Sequence, residues 1–151
     1  YLPLPEQLAK KKAIVNVDNS KGAVGCKTDA AFEHWKDRCF ELSVLSALYP
    51  VKNNPQRVGN YTAEKLEHCI NFQGLKYPVS VLDIKKFERH NNIGINLYGL
   101  RDDAPMILQK SSLTNRSKGD DLQKLTEPTV MIDLLLLEQG EKAHYCWIKN
   151  S

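Results

Sequence analysis

Two side chains in this sequence stand where covalent chemistry is easiest to arrange. Cys39, in Asp37-Arg38-Cys39-Phe40, opens an apolar helical run. A thiol in the first turn of a helix meets free backbone N–H groups and the positive end of the helix dipole, which favour thiolate and can stabilise an oxyanion. His144, in Ala143-His144-Tyr145-Cys146-Trp147-Ile148, opens a strand about a hundred residues later. An imidazole so placed is a natural general base for the thiol. Asp37 and Arg38 form the helix cap and the oxyanion corner of the expected site.

A third group that orients the imidazole is harder to find. Asn150 has the right chemistry, but six residues of strand span about 20 Å, far too much for a hydrogen bond to His144. Cys146, two residues beyond His144, cannot do the job. Asn96, on a neighbouring strand, is the possible third member, and a Cys39–His144 dyad is the alternative. Cys69 and Cys146 fall within apolar patterns and read as structural, while Cys26 lies in a loop. Cys26, His34, His68, Cys69 and His90 match no zinc-ligand spacing, so no metal site is expected, and no cofactor. Lys85-Lys86 with Arg89-His90 make one basic helix face. With no aromatic interleaving beside it, that face reads as solvated rather than as a nucleic-acid surface. No glycine-rich phosphate loop is present.

The elements that must hold these groups follow from periodicity. Residues 1–12 are a lead-in segment, since Leu2-Pro3-Leu4-Pro5 cannot be regular helix. Residues 13–151 then form one domain. Ala13 to Val17 reads as a strand, and Thr28 to Lys36 as a helical turn. Phe40, Val44, Ala47 and Leu48 make the buried stripe of a helix capped by Asp37, with Cys39 at its second position and Pro50 at its end. Thr62 caps a short helix carrying Leu66, Cys69 and Ile70. Ser80-Val81-Leu82-Asp83 is a capping-box signature for a third helix, with Val81, Ile84 and Phe87 inward. Strands follow at Ile93–Leu100 and Met106–Gln109. Val130–Glu138 reads as a central strand, and His144–Lys149 as its hairpin partner around Gln139-Gly140-Glu141. The polar stretch 110–128 between strands suggests a mobile lid or binding loop. Helices first and strands last give an α+β class with an antiparallel sheet.

Composition sets the outer limits. The chain has 151 residues, 42% of them hydrophobic, enough for one domain with a real core that needs no metal or disulfide. A formal net charge of +3 is too small for a dedicated nucleic-acid binder. Four scattered cysteines without a CxxC point to a reducing compartment, cytoplasmic or nuclear. No apolar run reaches about 18 residues, and no signal peptide is visible. Tyr1 in place of a methionine suggests a piece of something larger.

Several stretches together resemble one family. They are Leu2-Pro3-Leu4-Pro5 leading to Lys12-Ala13-Ile14-Val15-Asn16, Cys39-Phe40, Asn54-Pro55-Gln56-Arg57-Val58 and Tyr77-Pro78-Val79-Ser80. With them go Asp83-Ile84-Lys85-Lys86-Phe87-Glu88, Ile95-Asn96-Leu97-Tyr98-Gly99, Ile132-Asp133-Leu134-Leu135-Leu136 and His144 to Asn150. The order resembles a domain that precedes the protein-primed family B DNA polymerase in Polinton or Maverick mobile-element proteins. Only Ser20 to Lys36 is longer than usual there. Cysteine before histidine is also the papain-like chain order, and Asp37, Cys39 and His144-Tyr145 echo OTU-like cysteine peptidases. This chain lacks the loop glycine of OTU enzymes and the acidic or amide residue two beyond their histidine. The resemblance implies a papain-like (OTU-like) fold and a thiol isopeptidase, deubiquitinase-like, with Cys39 and His144 catalytic. It also implies ubiquitin or a ubiquitin-like protein as partner; from hydropathy and charge, no membrane is expected, nor nucleic acid as a partner of this domain alone. A catalytically silent interaction module beside the polymerase, or a polyprotein-processing protease, are the alternatives.

Overall fold

A computed structural model describes residues 1–10, 13–20, 33–62, 66–77, 79–102, 104–111 and 130–149. Its elements are α1 (Glu6–Lys10), β1 (Ile14–Val15), α2 (Cys39–Leu48), a 3₁₀ turn (Val58–Tyr61), α3 (Val81–Asn91), β2 (Ile93–Arg101), β3 (Ala104–Gln109), β4 (Val130–Gln139) and β5 (Lys142–Ile148). The class is mixed α+β with one five-stranded sheet, ordered β1-β5-β4-β2-β3.

The sheet is mixed, not antiparallel. β4 and β5 form the expected hairpin, with Leu137 opposite His144 and Leu136 opposite Tyr145. β2 and β4, however, run parallel, with Ile93 opposite Val130. The cause is strand order. β3 folds back on β2 as the sheet edge, so β2 separates it from β4 and the chain must reach β2's other side before β4 begins. Local sequence pattern carries no information about that crossing.

Because side chains alternate along a strand, β4 and β5 feed two cores. On one face Leu134, Leu136 and Tyr145 pack with Phe40 and Val44 of α2 and Ile84 and Phe87 of α3. Phe40 meets Phe87 and Tyr145 edge to face, at 5.2 and 5.4 Å. On the other face Leu135, Leu137, Cys146 and Ile148 are covered by Leu2 and Leu4 from the leading segment. Leu134 to Leu137 are all buried, so β4 is the central strand its apolar run predicted.

The helix ends are chemically distinct. Ser80 caps α3 as expected, its Oγ accepting from Asp83 N–H at 3.2 Å, and Asn92 closes the other end in the left-handed region. α2 departs from expectation. Its cap position is Arg38, without a side-chain cap, and Cys39 is its first residue rather than its second. Arg38 N–H donates to Trp35 O, so Asp37 lies in the preceding turn, one residue too early to cap. The turn 58–61 is the helical piece near Thr62, whereas Leu66 to Ile70 are not helical and Cys69 is exposed, against the structural role expected for it. The 110–128 stretch lies, beyond Ser111, outside the described residues, as does Cys26. Among the described residues no helix is long and apolar enough to cross a membrane.

α2 is fastened to β5 by backbone as well as by apolar contact. Ser43 Oγ donates to Tyr145 O at 2.8 Å, fully buried. Ser43→Ala should therefore strand a buried carbonyl and cost about 1–3 kcal/mol. Ser46→Ala, which loses only a bond to Ser43 O within the same helix, should cost less. Urea melts of the two variants give the comparison, and equal losses would argue against the Ser43–Tyr145 bond as an anchor.

Candidate active site

The thiol meets the backbone next to the imidazole through the edge of β5. Trp147 pairs with Val15 of β1, and Lys149 N–H donates to Ala13 O. Two residues back, where β1 has ended, Tyr145 turns its N–H and C=O to the same vacant side. Cys39 Sγ accepts the N–H at 3.4 Å and Ser43 Oγ bonds the C=O. Cys39 and Ser43 are one helical turn apart, so α2 continues the ladder with side chains. The sulfur thus lies beside the backbone that carries His144.

His144 projects to the opposite sheet face from Tyr145. Its Nε2 lies 2.6 Å from Asn16 Oδ1, and only 1% of the residue is exposed. Asn16 directly follows β1, and its Nδ2 donates to Leu2 O at 2.8 Å. That bond fixes the amide orientation, because a carbonyl can only accept. Oδ1 therefore faces the ring, and Nε2 must carry the proton. The lone pair is left on Nδ1, which is buried and has no hydrogen-bond partner among the described residues. A neutral imidazole with a free Nδ1 is the form a general base needs.

No hydrogen bond joins the two groups in this state, since Sγ takes the Tyr145 N–H and Nδ1 takes none. Both are held uncharged. Burial lowers the His144 pKa to about 3, and Asp18 and the Val17 backbone only partly oppose it. Burial also pushes the Cys39 thiol up, although the backbone N–H groups of Tyr145, Phe40 and Cys39 pull the other way. The expectation that the helix start would yield a thiolate is overturned here, because desolvation outweighs the first-turn amides.

The remaining expected residues have other work. Arg38 stacks its guanidinium on Tyr77 at 4.3 Å and reaches Glu41 at 3.8 Å, walling one side of the first turn. With Arg38 N–H already bonded to Trp35 O, the amides facing the sulfur are those of Cys39 and Phe40, not of Asp37 and Arg38. Asn96 bonds Asp133 Oδ1 through its Nδ2 at 3.2 Å and receives Ser111 N–H at 2.9 Å. Ser111 in turn bonds Glu88, whose carboxylate also takes the Ile95 N–H. His144's amide partner is Asn16 instead. The sequence held one signal for it: a polar residue set between Val15 and Val17, just after the strand that borders β5. Asn150 is outside the described residues, and among those described no three His, Cys, Asp or Glu side chains gather as a metal site.

No protein-family model matches the chain, and no significant match is found among curated proteins or solved structures. The site must be judged on its geometry.

That geometry has a consequence for acid stability. In the unfolded chain His144 titrates near its ordinary 6.5, while in the native state it stays neutral down to about 3. Between these values the unfolded state binds the extra proton. The contribution is complete above pH 6.5 and is lost as pH falls toward 3, by at most about 1.4 kcal/mol per unit. His144→Gln should flatten this part of the stability–pH curve in denaturant titrations. An unchanged slope in that variant would show that the ring is not buried neutral.

Proposed function

We propose that the domain is a thiol isopeptidase or protease, deubiquitinase-like, in which Cys39 is the nucleophile and His144 the general base. The observation that carries this reading is a buried imidazole, oriented by Asn16 so that Nδ1 is the basic atom, one residue before the amide that bonds a helix-start thiol. For reaction, Cys39 releases the Tyr145 N–H and gives its proton to Nδ1. The thiolate attacks the substrate carbonyl, and the oxyanion takes hydrogen bonds from amides of the first turn of α2. The C–N bond breaks as imidazolium returns the proton to the leaving amine. Water, deprotonated by His144, then cleaves the thioester and frees the acid and the thiol. Asn16 holds the ring through both proton transfers.

Ubiquitin or a ubiquitin-like protein is the proposed substrate, on the resemblance to OTU-like peptidases, and processing of the protein's own polypeptide uses the same chemistry. A silent interaction module beside a mobile-element polymerase is the second reading. It is favoured by the resting bond of Cys39 Sγ to a backbone N–H and by the burial of both groups.

Incubation with ubiquitin carrying an electrophilic C-terminus separates these readings. The wild-type chain should form one covalent adduct, Cys39→Ala none, and His144→Ala should react about 10²–10⁴ times more slowly. Asn16→Ala should slow labelling while leaving a folded protein. An adduct that persists in Cys39→Ala would remove Cys39 from the mechanism.

A further inference from the structure

We propose that β3 is the joining edge of a two-fold dimer, in which a second copy of this chain adds its own β3 antiparallel to the first. The inference is independent of the thiol-hydrolase reading. β3 ends the sheet order β1-β5-β4-β2-β3, so among the described residues one of its sides has no strand beside it. Single exposed apolar residues are ordinary on a protein surface. Here three stand in succession: Met106, Ile107 and Leu108 are 40, 42 and 45% exposed. Met106 and Ile107 point to opposite faces, so the edge is apolar above and below. Natural edges are commonly blunted by lysine or by inward-pointing charge. From Ala104 to Gln109 this one carries no charge, and only Pro105 and the register shift after Ile107 guard it.

The register with β2 shows which backbone groups face outward. Leu100 stands opposite Pro105, Gly99 opposite Met106 and Tyr98 opposite Ile107. Opposed pairs in an antiparallel ladder alternate between hydrogen-bonded and non-hydrogen-bonded. Pro105 has no N–H and fits the second kind. Tyr98 and Ile107, two residues on, are the same kind, so Ile107 turns its N–H and C=O to the free side. A second copy related by a two-fold axis at Ile107 satisfies both groups, each Ile107 exchanging N–H and C=O bonds with the other. Such an interface uses one patch twice and closes on itself. Charge selects the direction. The turn into β3, Arg101-Asp102-Asp103, holds one more negative than positive charge, and Lys110 follows the strand's end. Antiparallel pairing brings each Lys110 toward the other copy's turn, whereas parallel pairing sets like charge against like. β4 and β2 separate β3 from β5, so the joined edge lies away from the candidate site.

Sedimentation velocity over a range of concentrations, with hydrogen exchange read at Ile107, is the test. The wild-type chain should pass from monomer to dimer as concentration rises, and exchange of the Ile107 amide should slow in step. Ile107→Lys should raise the dimer Kd at least about tenfold, because an edge lysine opposes strand pairing. It should barely move the melting temperature, since the side chain it replaces is already exposed. Asp102→Lys and Lys110→Asp should each weaken the dimer, and the double variant should recover much of the loss, which dimerisation through another face would not produce. A chain that stays monomeric at every concentration overturns self-pairing and leaves the edge to a strand of another protein. A dimer whose Ile107 amide exchanges at an unchanged rate overturns it too, as does an Ile107 amide equally protected at all concentrations. Should Ile107→Lys fail to fold, the charge exchange decides alone: no recovery in the double variant overturns the antiparallel pairing.

Discussion

The peptide unit of Tyr145 is the joint on which this domain turns. A strand edge left by a departing neighbour exposes an N–H and a C=O that must find partners inside the protein. Here the partners are a thiol and a hydroxyl one turn apart on α2. The same contact seats the helix on the sheet, brings Phe40 against Tyr145, and sets the sulfur beside the peptide that joins His144 to Tyr145. β1 has to be short for this to happen. Were it two residues longer, the ladder would continue to Tyr145 and displace Cys39 from the edge.

Two opposing influences act on the thiol, and their balance defines the resting state. First-turn amides and the Tyr145 N–H stabilise a negative sulfur, while the almost complete burial of Cys39 destabilises it. Burial also keeps His144 neutral. Desolvation thus holds the thiol and the imidazole each in its neutral form, against the pull of the first-turn amides on the sulfur. Tyr145 and Cys146, likewise raised by burial, share that low-dielectric neighbourhood.

Features written in local sequence were legible, and those set by strand order were not. The α2 stripe of Phe40 and Val44, the Ser80 cap, the Leu134–Leu137 central strand and the β4–β5 hairpin all follow from spacing and turn chemistry within a dozen residues. The parallel β2–β4 pair depends on where β3 goes, which no local pattern encodes. The capping error at Asp37 came from a turn, Trp35 to Arg38, that absorbs the expected cap residue. The thiol and imidazole were visible because their positions at element starts are local properties. The role of Asn16 is not legible locally, because it depends on β1 lying beside β5, more than 120 residues away in the chain.

Asn19, buried with its Nδ2 on the carbonyls of Trp35 at 2.8 Å and Lys36 at 3.1 Å, ties two distant points of the chain together just ahead of α2. Asp18 N–H on Gln56 O and its bridge to Arg57 fix the near side of the same knot. The length of chain between Ser20 and Glu33 is thereby uncoupled from the position of Cys39. Closing a longer loop between fixed ends costs little, about 0.6 kcal/mol for each doubling. A change in chain length between those two tied points would therefore leave the sulfur where the knot holds it.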